Sequence, residues 1–217
     1  MKHLIGIGVI GIFVSALLFG PAAWAQLAGD DSVDGGADSA TATLAGGCFW
    51  CVEADLEKVD GVQEVISGYA GGTEVNPTYK QVSAGRTSHV EAVQAIYDPS
   101  RVTFSQLLEV FWTHVDPTDA GGQFVDRGPH YRTVIFYENQ MQRKLAEESK
   151  KRLAKSGVFD RPIVTEIREL NRFYKAEDYH QDYYKRNAFR YRYYRWNSGR
   201  DQFLEKVWKG RQVKLAD

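Results

Sequence analysis

The chain has 217 residues, 43% hydrophobic and 25% charged, enough for one well-buried core of ordinary globular composition. A formal net charge of −1 makes no case for a nucleic-acid or membrane-surface partner. Aromatic residues make up 13%, with most tyrosines in the second half, a surplus that needs a structural use.

The first 25 residues, MKHLIGIGVIGIFVSALLFGPAAWA, carry a basic Lys2, an apolar run from Leu4 to Phe19, a break at Pro21, and the small-x-small triplet Ala23-Trp24-Ala25. This pattern predicts a secretory signal peptide removed after Ala25, and with it export to a bacterial periplasm. The apolar run is slightly short for a membrane span, so an uncleaved anchor is the alternative and would be the only membrane contact. Residues 26–41 are small, acidic and Gly-rich, the composition of a flexible lead-in. One domain, 42–217, follows without internal repeats.

Within that domain the pattern alternates. Ala42 to Ala45 reads as a short strand, Gly46-Gly47 as a sharp turn, and Phe49 to Lys58 as a helix with Val52, Leu56 and Val59 on one face. Val62 to Tyr69 is a second strand. In the strand His89 to Tyr97, Val90, Ala92, Gln94 and Ile96 point one way and Glu91, Val93, Ala95 and Tyr97 the other. Thr103 or Ser105 caps a helix bearing Leu107, Leu108, Phe111 and Trp112. DPTDAGGQFVDRGPHYR, 116–132, reads as a long polar loop, which in a compact domain is more often functional than idle. A strand at Thr133 to Tyr137, a charged amphipathic helix at Asn139 to Lys155, a strand at Ile163 to Glu169 and a helix at Ala176 to Lys185 complete the series. The order predicts a two-layer α/β (α+β) sandwich, a mixed sheet with helices packed on it.

Cys48 and Cys51 are the only cysteines, three apart with Phe49 and Trp50 between them. A loop this small removes little chain entropy, so a structural staple is a poor use of the pair. A thiol at the start of a helix sits among unpaired N–H groups and the positive end of the dipole, which predicts a lowered pKa at Cys48. Residues at i and i+3 have Cβ atoms roughly 5–6 Å apart, so a disulfide requires the first turn to tighten. His89, His114, His130 and His180 show no helical pairing, which argues against zinc. That leaves a disulfide exchanger, or a reductase in which Cys48 attacks a substrate and Cys51 resolves the product. Two aromatics beside a nucleophile suit a methyl or thioether group, favouring the second.

GCFWCVE, GYAGG, NPTY, HVEAV, QFVDRGPHYR, FYKAEDYHQDYY and GRDQFLEKVW occur in the order of the A-class peptide methionine sulfoxide reductases, which the chain resembles from about Ala42 to Trp208. The resemblance implies a ferredoxin-like core and thiol-dependent reduction of the S-epimer of methionine sulfoxide, free or in proteins. It implies no metal and no organic cofactor. It makes Cys48 the nucleophile, Phe49 and Trp50 the pocket for the S-methyl group, and Glu91 the acid that protonates the sulfoxide oxygen. Tyr79 and Tyr131 would hydrogen-bond that oxygen, and Asp126 would line the site. Attack leaves a sulfenic acid on Cys48. Many relatives have a recycling cysteine where this chain has Ser198 or Val125, so Cys51 is the remaining candidate to close a Cys48–Cys51 disulfide, reduced by a thioredoxin-like partner. Direct reduction of the sulfenic acid by an outside thiol is the alternative. A different class also stays open, an exported module that uses the CxxC only as a redox switch. The basic, aromatic stretch KRNAFRYRYYRWNSGRDQ reads as an ordered tail over the domain that absorbs the tyrosine surplus, not as a nucleic-acid patch. His180 reads as a hydrogen-bonded structural residue, and the expected solution state is a monomer.

Overall fold

The computed structural model describes residues 39–211. The leader, its cleavage site and the lead-in up to residue 38 lie outside the described residues. In chain order the elements are β1 Ala40–Gly46, α1 Phe49–Leu56, β2 Val62–Ala70, α2 Tyr79–Ser83, β3 Val90–Tyr97 and α3 Phe104–Trp112. There follow β4 Gly122–Gln123, β5 Asp126–Arg127, a 3-10 turn at Pro129–Tyr131, β6 Thr133–Tyr137 and α4 Gln140–Lys155. β7 Glu166–Glu169, β8 Phe173–Lys175, α5 Tyr183–Arg186, α6 Ala188–Asn197 and α7 Arg200–Trp208 complete the chain.

Six strands form one sheet in the order β7-β6-β1-β3-β2-β8. The central four, β6-β1-β3-β2, are antiparallel, with α1 joining β1 to β2 and α3 lying between β3 and β6. That is the β-α-β-β-α-β path of a ferredoxin-like core. β7 extends one edge parallel to β6 after α4, and β8 extends the other antiparallel to β2. The expected α/β sandwich is the fold observed.

The strand β3 shows how the pattern dictates the layers. Val93, Ala95 and Tyr97 join the main core with Phe49, Val52 and Leu56 of α1 and Leu107, Leu108, Phe111 and Trp112 of α3. Val90 and Ala92 point to the other face, where they pack with Ala45, Ala70, Val134 and Phe136. Each large core side chain taken out of water contributes roughly 1.5–3 kcal/mol. Trp112, fully buried, also donates its indole N–H to Ser149 Oγ of α4 at 3.0 Å, so its one polar atom is satisfied. Thr103, not Ser105, caps α3, accepting from Gln106 N while Gln106 reaches back to the Thr103 N–H.

Several boundaries differ from expectation. β1 begins at Ala40, two residues inside the expected lead-in. Helix α1 ends at Leu56, before Lys58. Of the strand expected from Ile163, only 166–169 pair with β6, because Val164 N–H instead donates to Pro117 O of the long loop. That loop is not irregular throughout: β4 and β5 pair within it, pinned by buried Gln123, whose side chain bonds both the N–H and the C=O of Asp116. The helix expected at Ala176 to Lys185 is absent. Ala176 N–H continues the ladder to Ser67 O, Gln181 bonds Ser67 N–H and C=O through its side chain, and Asp182 takes a left-handed φ of 53°. Only four residues, Tyr183–Arg186, then turn helically. The C-terminal tail is ordered as expected, in α6 and α7. Its aromatics divide, with Tyr191 buried but Phe189, Tyr193 and Trp196 exposed, so it absorbs only part of the surplus.

Candidate active site

The turn between β1 and α1 sets the site. Gly47 has φ +84°, and a Cβ there would lie 2.6 Å from Gln123 Cβ, so only glycine lets the chain turn this tightly against β4. Cys48 follows at the N-cap of α1. The first turn is drawn in, since the Cys51 N–H reaches Cys48 O at 3.1 Å while the Val52 N–H is at 3.4 Å. Both cysteines are free thiols, 5% and 0% exposed, and they share a hydrogen bond. They cluster with Ala54 and with Tyr191 of α6.

A cavity of about 130 Å³ opens at Cys48. Its walls are Cys48, Phe49, Trp50, Tyr79, Glu91, Asp126, Tyr131 and Tyr194. Seven of the eight residues singled out from the sequence therefore converge on one space, contributed by α1, α2, β3, β5 and the 3-10 turn. The eighth, Cys51, lies behind Cys48. Glu91 arrives because it shares the inward face of β3 with Val93 and Ala95, one register position above them.

Glu91 is 2% exposed, and its Oε2 accepts the Phe49 N–H at 3.1 Å. Burial pushes its carboxyl up to about 8, against the pull of that N–H, so the acid is neutral near pH 7. The first free N–H of α1 is thus given to the carboxylate and not to the thiol. This overturns the expectation for Cys48: burial pushes its thiol well up, followed by its hydrogen bond with Cys51 and the negative charges around it. Cys51 moves the other way, lowered by the hydrogen bond from Cys48 and by the charges of Arg200 and Arg195 against its own burial. Tyr79 is pushed up to about 12 and Tyr131 further, burial leading in both, so their hydroxyls are neutral donors at any working pH. Asp126 is raised by burial, and its Oδ2 accepts from Tyr194 Oη at 2.5 Å.

The aromatic wall has its own supports. Trp50 stacks on Tyr183 with centroids 3.7 Å apart and meets Tyr194 edge-on. Its indole N–H donates to His180 Nδ1 at 3.1 Å, which places the imidazole proton on Nε2, and burial pulls His180 down to about 4. His180 is therefore hydrogen-bonded as expected, but its partner is the pocket wall. Glu177, three residues earlier, accepts from the Tyr79 N–H and the Tyr69 hydroxyl. Sequence reasoning missed Tyr194 and Tyr183. Tyr191 and Tyr194, three apart on one face of a tail helix, were the available signal.

One group of three acids meets the geometry for a cation among the described residues, Glu53, Glu57 and Asp182. Lys185 already lies 2.6 Å from Glu57 and 2.8 Å from Asp182, and supplies that charge itself. None of these residues lines the cavity at Cys48. Among the described residues no helix is long and apolar enough to cross a membrane.

Residues 40–212 match the family described as peptide methionine sulfoxide reductase. The chain belongs to the peptide methionine sulfoxide reductase family. It is 54% identical over 167 residues to a reductase of that name, MsrA, from Bacillus licheniformis, covering 77% of this chain and 92% of the relative. It is 55% identical over 166 residues to the MsrA/MsrB reductase of Vibrio cholerae, but that match spans 76% of this chain and only 44% of the longer protein. Among solved structures, yeast Mxr1 in its reduced form resembles it with a TM-score of 0.66 and 31% identity, covering 70% of this chain and 87% of that one. Methionine sulfoxide reductase A of Corynebacterium diphtheriae does so with 0.62 and 35%, covering 71% and 77%.

Proposed function

We propose that this reductase converts the S-epimer of methionine sulfoxide, free or in proteins, to methionine, with Cys48 as nucleophile and Glu91 as acid. The observation that carries the reading is the convergence of a thiol, a neutral carboxyl and two neutral phenols on one cavity walled by Phe49 and Trp50. A sulfoxide oxygen is a poor leaving group, and a sulfur nucleophile displaces it only when that oxygen is protonated. Glu91 gives its proton to the oxygen, with Tyr79 and Tyr131 donating hydrogen bonds to it. The substrate sulfur becomes cationic, and its charge beside Cys48 draws the raised thiol down. The Cys48 proton then refills the Glu91 carboxylate. The thiolate attacks the substrate sulfur. The hydroxyl passes from that sulfur to Cys48 as the substrate sulfur–oxygen bond and the transient sulfur–sulfur bond break, and methionine leaves with the electron pair. Cys48 is left as a sulfenic acid, so the sulfoxide is reduced by two electrons and the cysteine oxidised by two.

Cys51 resolves the sulfenic acid to a Cys48–Cys51 disulfide, which a thioredoxin-like protein reduces. The drawn-in first turn of α1 and the thiol–thiol hydrogen bond support this pairing. The chain acts after export to a periplasm and loss of residues 1–25, a reading supported by Lys2, the apolar run and Ala23-Trp24-Ala25, and tested by the intact mass of protein recovered from the periplasmic fraction. Incubation with dithiothreitol and each epimer of a methionine sulfoxide derivative tests the activity. Consumption of the S-epimer alone is the expected result. Consumption of neither overturns the catalytic reading and leaves a CxxC redox switch.

A further inference from the structure

Two arginines act on Cys51, and they differ in how their charge is compensated. Arg195 of α6 is held by Asp55 through both carboxylate oxygens at 2.8 and 2.9 Å, and by Asp201 at 2.8 Å. Arg200, first residue of α7, is 1% exposed and, among the described residues, has no carboxylate in ion-pair contact. Its guanidinium donates to His114 O at 2.6 Å and Gly46 O at 2.9 Å and lies 4.6 Å from the centre of the Phe124 ring. A buried cation with only carbonyls and a ring around it is costly. Gly46 O belongs to the turn that delivers Cys48 and Cys51, so the charge is anchored where the sulfurs are. Asp126 feels it without touching it, its oxygen being taken by Tyr194.

We propose that Arg200 is a positioning residue for the resolving step: its unpaired guanidinium, anchored on Gly46 O at the β1–α1 turn, is the counter-charge for the negative charge on the Cys51 sulfur as it attacks the Cys48 sulfenic acid. In that step the Cys51–Cys48 sulfur–sulfur bond forms and the Cys48 sulfur–oxygen bond breaks. The hydroxyl leaves and takes a proton to become water, and Cys51 supplies the electron pair. In the resting enzyme the Cys48 thiol also lowers Cys51, but that thiol is consumed when it becomes the sulfenic acid, and the remaining groups facing Cys51 oppose ionisation or are neutral. Asp55 and Glu91 are acids, the latter protonated, and Tyr191 and Tyr194 are phenols with raised pKa values. Arg195 assists, but two carboxylates balance it. The role matters in this chain because Ser198, two residues before Arg200, and Val125 stand where many of the resembling sequences have a recycling cysteine, which leaves a thiol inside α1 as the candidate for resolution.

The proposal rests on Cys51 as the resolving thiol, and the experiment separates the two. Reduced enzyme is mixed with stoichiometric methionine sulfoxide and quenched at intervals across pH 6–9. Methionine release, dimedone-trapped sulfenic acid and the Cys48–Cys51 disulfide are read by mass spectrometry. Arg200→Gln keeps amide donors for the carbonyls but removes the charge, and Arg200→Lys keeps the charge. Arg200→Gln is expected to accumulate sulfenic acid, to slow disulfide formation about tenfold at pH 7 beyond any change in methionine release, and to move the midpoint of that step up by about one pH unit. Arg200→Lys is expected to stay near the parent in both. Disulfide formation in Arg200→Gln at the parent rate with an unmoved midpoint overturns the proposal. Equal losses in both variants and both steps, with the midpoint unchanged, also overturn it and make Arg200 a prop for the turn. If the parent enzyme releases methionine but never forms the Cys48–Cys51 bond, the resolving role of Cys51 fails first, and this proposal with it.

Discussion

Replacing Glu91 with Gln trades activity for stability in a way set by pH. The carboxyl has an ordinary value of 4.5 and sits near 8 in the folded protein, its burial outweighing the Phe49 N–H. An acid raised on folding costs nothing below its unfolded value, and the folded state loses stability as pH climbs towards the folded value. Each pH unit between those two values is worth about 1.4 kcal/mol. Keeping the proton on Glu91 therefore costs about 3 kcal/mol at pH 7, approaching about 5 kcal/mol above pH 8. A glutamine of the same shape retains an acceptor for the Phe49 N–H and removes the cost. Glu91→Gln is expected to lead the parent by only about 1 kcal/mol at pH 5 and to gain on it by about 1.4 kcal/mol per further pH unit up to about pH 8, levelling off beyond. Urea denaturation of both proteins at half-unit steps from pH 5 to 9 measures the difference. Methionine release, assayed in parallel, should fall by roughly 10²–10⁴ for loss of a general acid. Stability curves that run parallel over the whole range would mean that Glu91 is not held protonated, and the acid role assigned to it would have to be abandoned.

Cys51→Ser should release one equivalent of methionine per enzyme and then stall with thioredoxin as sole reductant; full thioredoxin-driven turnover would remove Cys51 from the cycle. Tyr79→Phe and Tyr131→Phe should each lower methionine release, the double variant by about 10²–10³, since each deletes a neutral donor aimed at the sulfoxide oxygen; a double variant with parent kcat refutes that aim. His180→Phe takes away the acceptor for the Trp50 indole and should raise KM about fivefold, on the order of one neutral hydrogen bond, with kcat little changed. His180→Asn offers an oxygen at the Nδ1 position and should restore KM. Thr103→Ala, which breaks the capping box of α3 far from the cavity, should cost about 1 kcal/mol of stability in urea and leave kinetics untouched.

The sheet was legible because its strands carry period-two patterns bounded by glycines, and β3 showed both of its faces in eight residues. The cavity was legible mainly through resemblance; taken singly, Tyr79 or Tyr131 looks like a packing tyrosine. What stayed hidden depended on long-range pairing. Gln181 stands in for a strand partner of Ser67, across 114 residues, and no local period warns that this stops a helix. Charge ownership at α1 was misread for a similar reason. Local rules give the helix N-terminus to the nearest thiol, whereas a carboxylate 42 residues away claims the Phe49 N–H. Tyr194 and Arg200 belong to a tail that reads as ordered over the domain, but its composition does not say which of its side chains turn inward on α1.

The depth at which Cys48 lies, with its proton retained, has a consequence for life among oxidants. Peroxides and stray disulfides react with ionised sulfur that they can reach, and in the resting enzyme Cys48 opens only on its narrow cavity and keeps its proton. In the mechanism proposed above, a guest that fills the cavity and turns cationic on the spot draws that proton away, which would shield the repair catalyst from the chemistry whose damage it reverses.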